Sequence, residues 1–84
     1  MKVTSAAQLS HLLQESRKLQ GLSQSSTAQK VGIRQDTVSK FENAPEGTRL
    51  DTLFKLLAAL DLELEVRPRG EGGNTAGEQW QEEW

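Results

Sequence analysis

Residues 22–42 read LSQSSTAQKVGIRQDTVSKFE and decide how this chain folds. Ser23 has the side chain of a good helix N-cap, so a short helix is predicted from there to about Val31. Gly32 interrupts that helix, and a further helix is predicted over 35–43. The stretch therefore contains two short helices separated by a glycine turn.

Two short helices that cross steeply need particular side-chain sizes where they meet. Ala28 is small enough for close approach, Gly32 permits the tight turn, and Val38 supplies an apolar anchor. The outer face of the second helix keeps side chains that can hydrogen-bond to bases or phosphates, namely Gln35, Asp36, Ser39 and Lys40. The spacing predicts a helix-turn-helix, whose second helix fits the major groove of DNA.

A further helix is predicted over 6–19, before this motif. Ser5 and Gln8 have the spacing of a capping box at its start, and Gly21 suits its C-terminal end. Its apolar face is formed by leucines at helical spacing, namely Leu9, Leu12 and Leu13.

A last helix is predicted after the turn-rich loop at 43–47. Thr48 and Asp51 have the spacing of a second capping box. Apolar residues again recur at helical spacing, namely Leu50, Leu53, Phe54, Leu57 and Leu60.

The hydrophobic period changes after this helix. Leu62, Leu64 and Val66 alternate with glutamates, which predicts a short strand over 62–66. A single short strand is not stable alone, and the same strand of a second copy can pair with it about a two-fold axis. The alternative is that the last helix frays into an extended linker. The predicted fold is an all-α helix-turn-helix bundle with a short C-terminal β-strand that pairs across a dimer.

Composition narrows the possible functions. The chain has 84 residues and no cysteine, which excludes disulfides and thiolate metal sites. Oligomerisation then remains as a way to stabilise so small a core. The first ten residues are mostly polar, and no apolar run approaches the length of a membrane span. We expect no membrane association and a cytoplasmic location.

Charge is distributed unevenly along the chain. Residues 17–40 hold five basic side chains and one acidic one, whereas 71–84 hold four glutamates and no basic residue. We predict a DNA-binding and dimerisation domain over 1–69 and a flexible acidic tail over 70–84. Trp80 and Trp84 are unusual in such a tail; they are either incidental or anchors for a protein partner.

The motif region resembles the Cro/C1-type (XRE) helix-turn-helix family, which has the lambda repressor-like fold. The similarity covers about residues 5–62 and rests on Leu22-Ser23-Gln24, Ala28, Val31-Gly32-Ile33, Gln35, Thr37-Val38-Ser39 and Phe41-Glu42. The resemblance implies that a dimer binds operator DNA, that Gln24 contacts phosphate or base, and that Arg17 pairs with Glu42 to orient the second motif helix. Thr27 departs from the family, which usually has a large apolar residue there.

A narrower resemblance is to the HipB-type antitoxins. It rests on the Ser5 cap, Gly32-Ile33-Arg34-Gln35, Phe41-Glu42-Asn43, the strand at 62–66 and the terminal Glu83-Trp84. It implies repression of the protein's own operon, dimerisation partly through the C-terminal strand, and binding of a HipA-type serine/threonine kinase toxin. By this resemblance, the tail with Trp80 and Trp84 contacts the toxin.

The predicted DNA contacts lie in and around the motif. They are Gln24, Ser25, Lys30, Arg34, Gln35, Asp36, Thr37, Ser39 and Lys40. Arg34 and Gln35 begin the recognition helix and are the expected base readers, while Ser39 and Lys40 are expected to hold phosphates. Asp36 either accepts a hydrogen bond from cytosine N4 or weakens the general affinity for DNA.

Three other functions stay open. A stand-alone repressor without a toxin has the same fold, and so does a protein-binding adaptor that has lost DNA binding. An enzyme is the least favoured, because His11 is the single histidine and has no identifiable catalytic partner. No cofactor and no metal are predicted.

Overall fold

A computed structural model describes residues 2–69 of the chain. It contains four α-helices: α1 (Ala6–Leu19), α2 (Gln24–Val31), α3 (Gln35–Asn43) and α4 (Leu50–Ala59). A 3-10 turn, Pro45–Gly47, lies in the predicted loop. All four predicted helices are confirmed, and no helix within 2–69 is long and apolar enough to cross a membrane.

The start of α1 differs in detail from its predicted capping box. The Ser5 hydroxyl oxygen accepts a hydrogen bond from the backbone N–H of Gln8 at 3.1 Å, as predicted. The Gln8 side chain does not return to Ser5; its Oε1 accepts from the backbone N–H of Thr4 at 2.7 Å. The helix is therefore capped, but the second half of the box is displaced by one residue.

The predicted cap of α2 is present and has a partner that the sequence analysis did not name. Ser23 and Ser26 exchange side-chain to backbone hydrogen bonds, each at 2.9 Å. Gly32 ends the helix with a φ of +70°, a left-handed conformation that glycine adopts without strain. Thr27 is 1% exposed, and its hydroxyl donates to the Ser23 carbonyl at 2.8 Å. A threonine is therefore accommodated at this core position because its hydroxyl is satisfied locally.

The predicted capping box at the start of α4 is wrong. Arg49 occupies the N-cap position and makes no side-chain capping hydrogen bond. Thr48 lies one residue before the N-cap position. Its backbone N–H donates to the Pro45 carbonyl at 3.0 Å and so belongs to the 3-10 turn. The Asp51 Oδ1 atom instead accepts from the backbone N–H of Thr52 at 2.9 Å.

The core lies where the four helices meet. Its buried members are Leu13, Ala28, Val38, Phe41, Leu56, Leu57 and Leu60, with Leu9, Leu22, Ile33 and Leu53 packed against them. Two residues of the predicted α4 face are not part of it: Leu50 is 71% exposed and Phe54 is 52% exposed. They lie round the helix from the buried leucines, and Leu56, which the sequence analysis left out, takes their place in the core.

The predicted strand is not formed within residues 2–69 of the single chain, because it has no partner strand there. Residues 62–68 instead run without regular structure alongside the bundle. Leu64 is 47% exposed and Val66 is 78% exposed. Together with α1 and the N-terminal segment, this stretch borders an open groove of about 1280 Å³ with apolar walls that include Val3, Leu9, Leu12, Leu57, Leu62 and Leu64. The predicted tail at 70–84, with Trp80 and Trp84, lies outside the described residues.

Candidate nucleic-acid interface

The sides of α3 divide cleanly between core and surface. Val38 and Phe41 are buried, while Gln35, Asp36 and Lys40 are exposed. Thr37 and Ser39 lie half-buried on its flanks. Because residues in an α-helix are about 100° apart, Gln35 and Ser39 lie on one flank and Thr37 on the other. The exposed strip between them is the surface that a DNA groove can meet.

A buried ion pair ties α1 to the end of α3. Arg17 Nε donates to Glu42 Oε2 at 2.7 Å, and Arg17 Nη2 donates to Glu42 Oε1 at 3.1 Å. The two side chains are only 11% and 4% exposed, respectively. Arg17 Nη1 also donates to the carbonyl oxygen of Leu22 at 2.8 Å, at the entry to α2. The pairing implied by the family resemblance is therefore present, and it is bidentate and largely buried.

The same carboxylate positions the first residue of α2. Gln24 Nε2 donates to Glu42 Oε1 at 2.9 Å. Gln14 Nε2 approaches the same oxygen at 3.3 Å, and sequence reasoning missed this residue. The one available signal was its position on α1, three residues before Arg17 and on the same side of the helix.

The Gln24 amide in turn orients Gln35. Because the Gln24 nitrogen is committed to Glu42, its Oε1 points away and accepts from Gln35 Nε2 at 2.6 Å. Within residues 2–69, this leaves the Gln35 Oε1 and its second N–H without another hydrogen-bond partner, so they can meet a ligand at the exposed start of α3. A chain of contacts thus runs from the buried Arg17 to a surface amide whose orientation is fixed.

Ser39 is fixed by a neighbour that sequence reasoning also missed. Asn43 Nδ2 donates to the Ser39 carbonyl at 2.9 Å and approaches the Ser39 hydroxyl oxygen at 3.3 Å. The spacing of four residues along one helix face is the signal that was available.

The basic residues of this surface are not neutralised by ion pairs. Within residues 2–69, no carboxylate forms an ion pair with Lys30, Arg34 or Lys40. Arg34 is the N-cap residue of α3 and immediately precedes Gln35 in the chain. Lys30 is exposed in the last turn of α2, about 140° round that helix from Ser25. Lys30 therefore lies on a different side of α2 from the predicted contact Ser25.

Comparison with known proteins agrees with this geometry. Residues 13–66 match the family model HTH_3, described as helix-turn-helix. The chain is 39% identical over 83 residues to the antitoxin HipB of Escherichia coli O6:H1 (strain CFT073), covering 88% of that protein. It is 37% identical over 83 residues to the antitoxin HipB of Escherichia coli K12, covering 94% of it.

This chain belongs to the helix-turn-helix family of HipB antitoxins. Solved structures of that family have the same fold. A chain in the structure of a HipA-HipB-O2-O3 complex superposes with a TM-score of 0.82 at 38% identity, covering 83% of this chain and 99% of that one. A HipB-O4 20mer complex contains a chain with the same TM-score, identity and coverage.

Proposed function

We propose that this chain is a DNA-binding antitoxin. As a dimer it binds a palindromic operator, represses the operon that encodes it, and binds a HipA-type serine/threonine kinase toxin. The observation that carries the proposal is the chain of hydrogen bonds from Arg17 through Glu42 and Gln24 to Gln35, which fixes a surface amide at the start of a recognition helix. HipB relatives of the same fold, studied with HipA and with operators, support both partners.

In this proposal α3 enters the major groove and Gln35 reads a base. An adenine offers an N6 donor and an N7 acceptor, which suit the free Oε1 and the second N–H of Gln35. Arg34 stands beside it and has the fork of donors that guanine O6 and N7 accept. Asp36, the acidic residue of α3, either accepts from cytosine N4 or lowers the affinity for DNA as a whole.

The remaining contacts position the protein without reading sequence. We assign phosphate contacts to Gln24 and Ser25 at the start of α2, and to the α3 side chains of Thr37, Ser39 and Lys40. Lys30 contributes at most long-range attraction, because it lies on another side of α2. A protein of this kind resides in the cytoplasm, on the nucleoid.

We assign dimerisation to the strand at 62–66. Leu62, Leu64 and Val66 are exposed in the single chain beside an apolar groove, and a second copy covers them if the strands pair. The recognition helices of such a dimer enter major grooves about 10 bp, or a multiple of it, apart.

The first test is a DNA titration. Purified full-length protein is added to a labelled fragment from upstream of its gene, at two salt concentrations, with unrelated DNA as competitor. We expect salt-sensitive binding that survives the competitor. Binding with no preference over the competitor would contradict the repressor function and favour the adaptor.

The second test concerns the toxin. We assign Trp80 and Trp84 to toxin binding, so deletion of 71–84 is expected to weaken binding of the co-purified kinase while operator affinity is unchanged. A second variant, Trp80→Ala with Trp84→Ala, keeps the tail length and should weaken kinase binding in the same way, which separates loss of the two tryptophans from loss of the tail. Loss of operator binding on deletion would contradict this division between domain and tail. Absence of a kinase-like neighbouring gene would favour a stand-alone repressor.

A further inference from the structure

The segment that follows α4 carries its charges on one face. Glu63, Glu65, Arg67 and Arg69 take alternate positions along it, and all four are exposed. Arg67 Nε donates to Glu65 Oε1 at 2.7 Å, and Arg67 Nη2 lies 2.7 Å from the same oxygen. Side chains two residues apart in an extended chain point to the same side, and this contact shows that residues 65 and 67 do so. On this charged face the two acidic residues precede the two basic ones.

The opposite face of the segment is apolar. Leu62, Leu64, Val66 and Pro68 take the intervening positions. Residues that face each other in paired strands point to the same side of the sheet, so a shift by one residue would set apolar side chains against charged ones. Pro68 has no backbone N–H, so it and the other even-numbered residues belong to the pairs that exchange no backbone hydrogen bonds.

The order of the charges then separates the registers that remain. About a two-fold axis, each register of two antiparallel strands is defined by the residue that faces itself in the other copy. If Leu64 faces itself, Glu63 of each copy faces Glu65 of the other. If Glu65 or Arg67 faces itself, two like charges meet on the axis. Like charges that face each other directly destabilise a strand pair, so these three registers are disfavoured.

One register opposes unlike charges throughout. If Val66 faces itself, Glu65 of one copy faces Arg67 of the other, and Glu63 faces Arg69. The axis repeats both contacts, so all four facing charge pairs have opposite sign. Within residues 2–69 of the single chain, Glu63 and Arg69 form no ion pair, so both are available to the second copy.

We propose that two copies of this chain pair as antiparallel strands through residues 63–69, with Val66 of each copy facing Val66 of the other. The inference rests on the proposed dimerisation, and it extends the pairing beyond residue 66 and fixes its register. Moving the self-facing position by one residue slides the two copies by two residues, or about 7 Å, along the strands. The charges of this segment therefore contribute to the distance between the two recognition helices.

The first experiment reads the register directly. The chain has no cysteine, so a single introduced cysteine forms a disulfide only with its counterpart in the other copy. Leu64→Cys, Glu65→Cys and Val66→Cys are oxidised separately in the full-length protein. We expect Val66→Cys to form the covalent dimer fastest, because the Cα atoms of a facing pair of this type are about 4.5 Å apart. In this register the two copies of residue 65 are about 8 Å apart, which is too far for an unstrained disulfide.

The outcomes of this scan are distinct. Fastest oxidation of Leu64→Cys or Glu65→Cys, or equal rates for all three variants, would overturn the proposed register. A wild-type protein that is monomeric in sedimentation equilibrium would instead overturn the proposed dimerisation.

The second experiment tests the charges by reversal, because neutralising one exposed pair changes little. Glu65→Lys and Arg67→Glu each create two like-charge pairs, so each should weaken its own homodimer about tenfold at low salt. Mixed in equal amounts, the two variants should form a heterodimer of nearly wild-type affinity, because every facing pair is again of opposite sign. Native mass spectrometry of the mixture measures the heterodimer.

Glu63→Lys is the matched control, because it makes the same change of charge on the same face. Mixed with Arg67→Glu it should remain as weak as its parents, because residue 63 faces Arg69 in the proposed register. Restoration by Glu63→Lys but not by Glu65→Lys would place Glu65 on the axis and overturn the proposal. Equal restoration by both would mean that net charge alone drives pairing, which would overturn it as well.

Discussion

The two sides of this small bundle differ in how fully their side chains are buried and hydrogen-bonded within the single chain. On the side of α2 and α3, Arg17 and Glu42 are buried against each other, and no buried side-chain polar atom within residues 2–69 lacks a hydrogen-bond partner. On the side of α1 and the segment after α4, leucines border an open groove, and Leu64 is 47% exposed.

The difference shows which task one chain can perform alone. The proposed recognition surface is held in place by hydrogen bonds within the chain, so it would be preorganised before DNA binds. The groove side leaves apolar surface exposed, which favours covering by another molecule. In the proposed function, the surface that reads bases is therefore complete within one chain, whereas the spacing between two half-sites needs a second copy.

The largest effect on stability is expected on the side of α2 and α3, where Arg17 and Glu42 are buried. Glu42→Gln leaves Arg17 buried without its counter-charge, and loss of one partner of a buried pair costs about 3–5 kcal/mol. We expect a fall of about 3 kcal/mol in the free energy of unfolding, measured by urea denaturation. Glu46→Gln, which neutralises an exposed carboxylate, is the control and should leave stability unchanged.

A double replacement tests whether charge or shape matters there. Arg17→Met with Glu42→Leu removes both charges together, so it should cost much less than Glu42→Gln alone. Operator binding should nevertheless fall, because Gln24 loses the acceptor that orients it. Equal destabilisation by the single and double variants would contradict the ion-pair explanation.

The next largest effect is expected on dimerisation, at the open groove between α1 and the segment after α4. Leu64→Glu places a charge on the apolar face of the segment, and we expect the dimer dissociation constant to rise about 100-fold, equivalent to about 2.7 kcal/mol. Sedimentation equilibrium measures it. The monomer should keep its helical circular dichroism, because Leu64 is not part of the core. Glu65→Gln is the control on the other face; an unchanged dimer in Leu64→Glu would favour the extended-linker interpretation.

A smaller effect is expected within the recognition surface. Gln35→Ala should weaken operator binding by about 1–3 kcal/mol and relax the preference at one base pair. Gln24→Ala keeps Gln35 but removes the acceptor that orients the Gln35 amide. The preference at that base pair should therefore broaden, with a smaller loss of affinity than in Gln35→Ala. Competition titrations against operators altered at single positions measure both. Unchanged preference in both variants would remove Gln35 as a base reader.

The boundaries of the elements were predictable because they depend on local chemistry. Gly21, Ser23 and Gly32 mark helix ends by their own backbone or side-chain properties, and all three are found there. The start of α4 was not predictable to the residue, because the 3-10 turn engages the backbone of Thr48. Pattern alone also placed Phe54 on the buried face, since it gives the spacing of a stripe but not its exact direction.

The candidate site divides in the same way. The types and spacing of Gln35 and Lys40 were readable from the motif. The Arg17–Glu42 pair came from family resemblance, since 25 residues of chain separate its members. The contact between Gln24 and Gln35 was not predicted, because it depends on the angle at which α2 and α3 cross.

The smallest effect is expected at the C-terminal ends of α1 and α4, which have the same backbone hydrogen bond. The Leu22 N–H donates to the Arg17 carbonyl at 3.0 Å, and the Leu62 N–H donates to the Leu57 carbonyl at 2.8 Å. The residue with a left-handed backbone that follows each helix differs. It is Gly21 after α1, with φ +73°, and Asp61 after α4, with φ +57°.

Asp61→Gly should therefore stabilise the fold by about 0.5–1 kcal/mol, because glycine adopts this conformation without strain and a negative charge leaves the C-terminus of a helix. Gly21→Asp should have the opposite sign. Urea denaturation is best measured at a concentration below the dimer dissociation constant, because Asp61 immediately precedes the segment assigned to dimerisation. A gain that appears only at high concentration would place the effect of Asp61 in the dimer rather than in the end of α4.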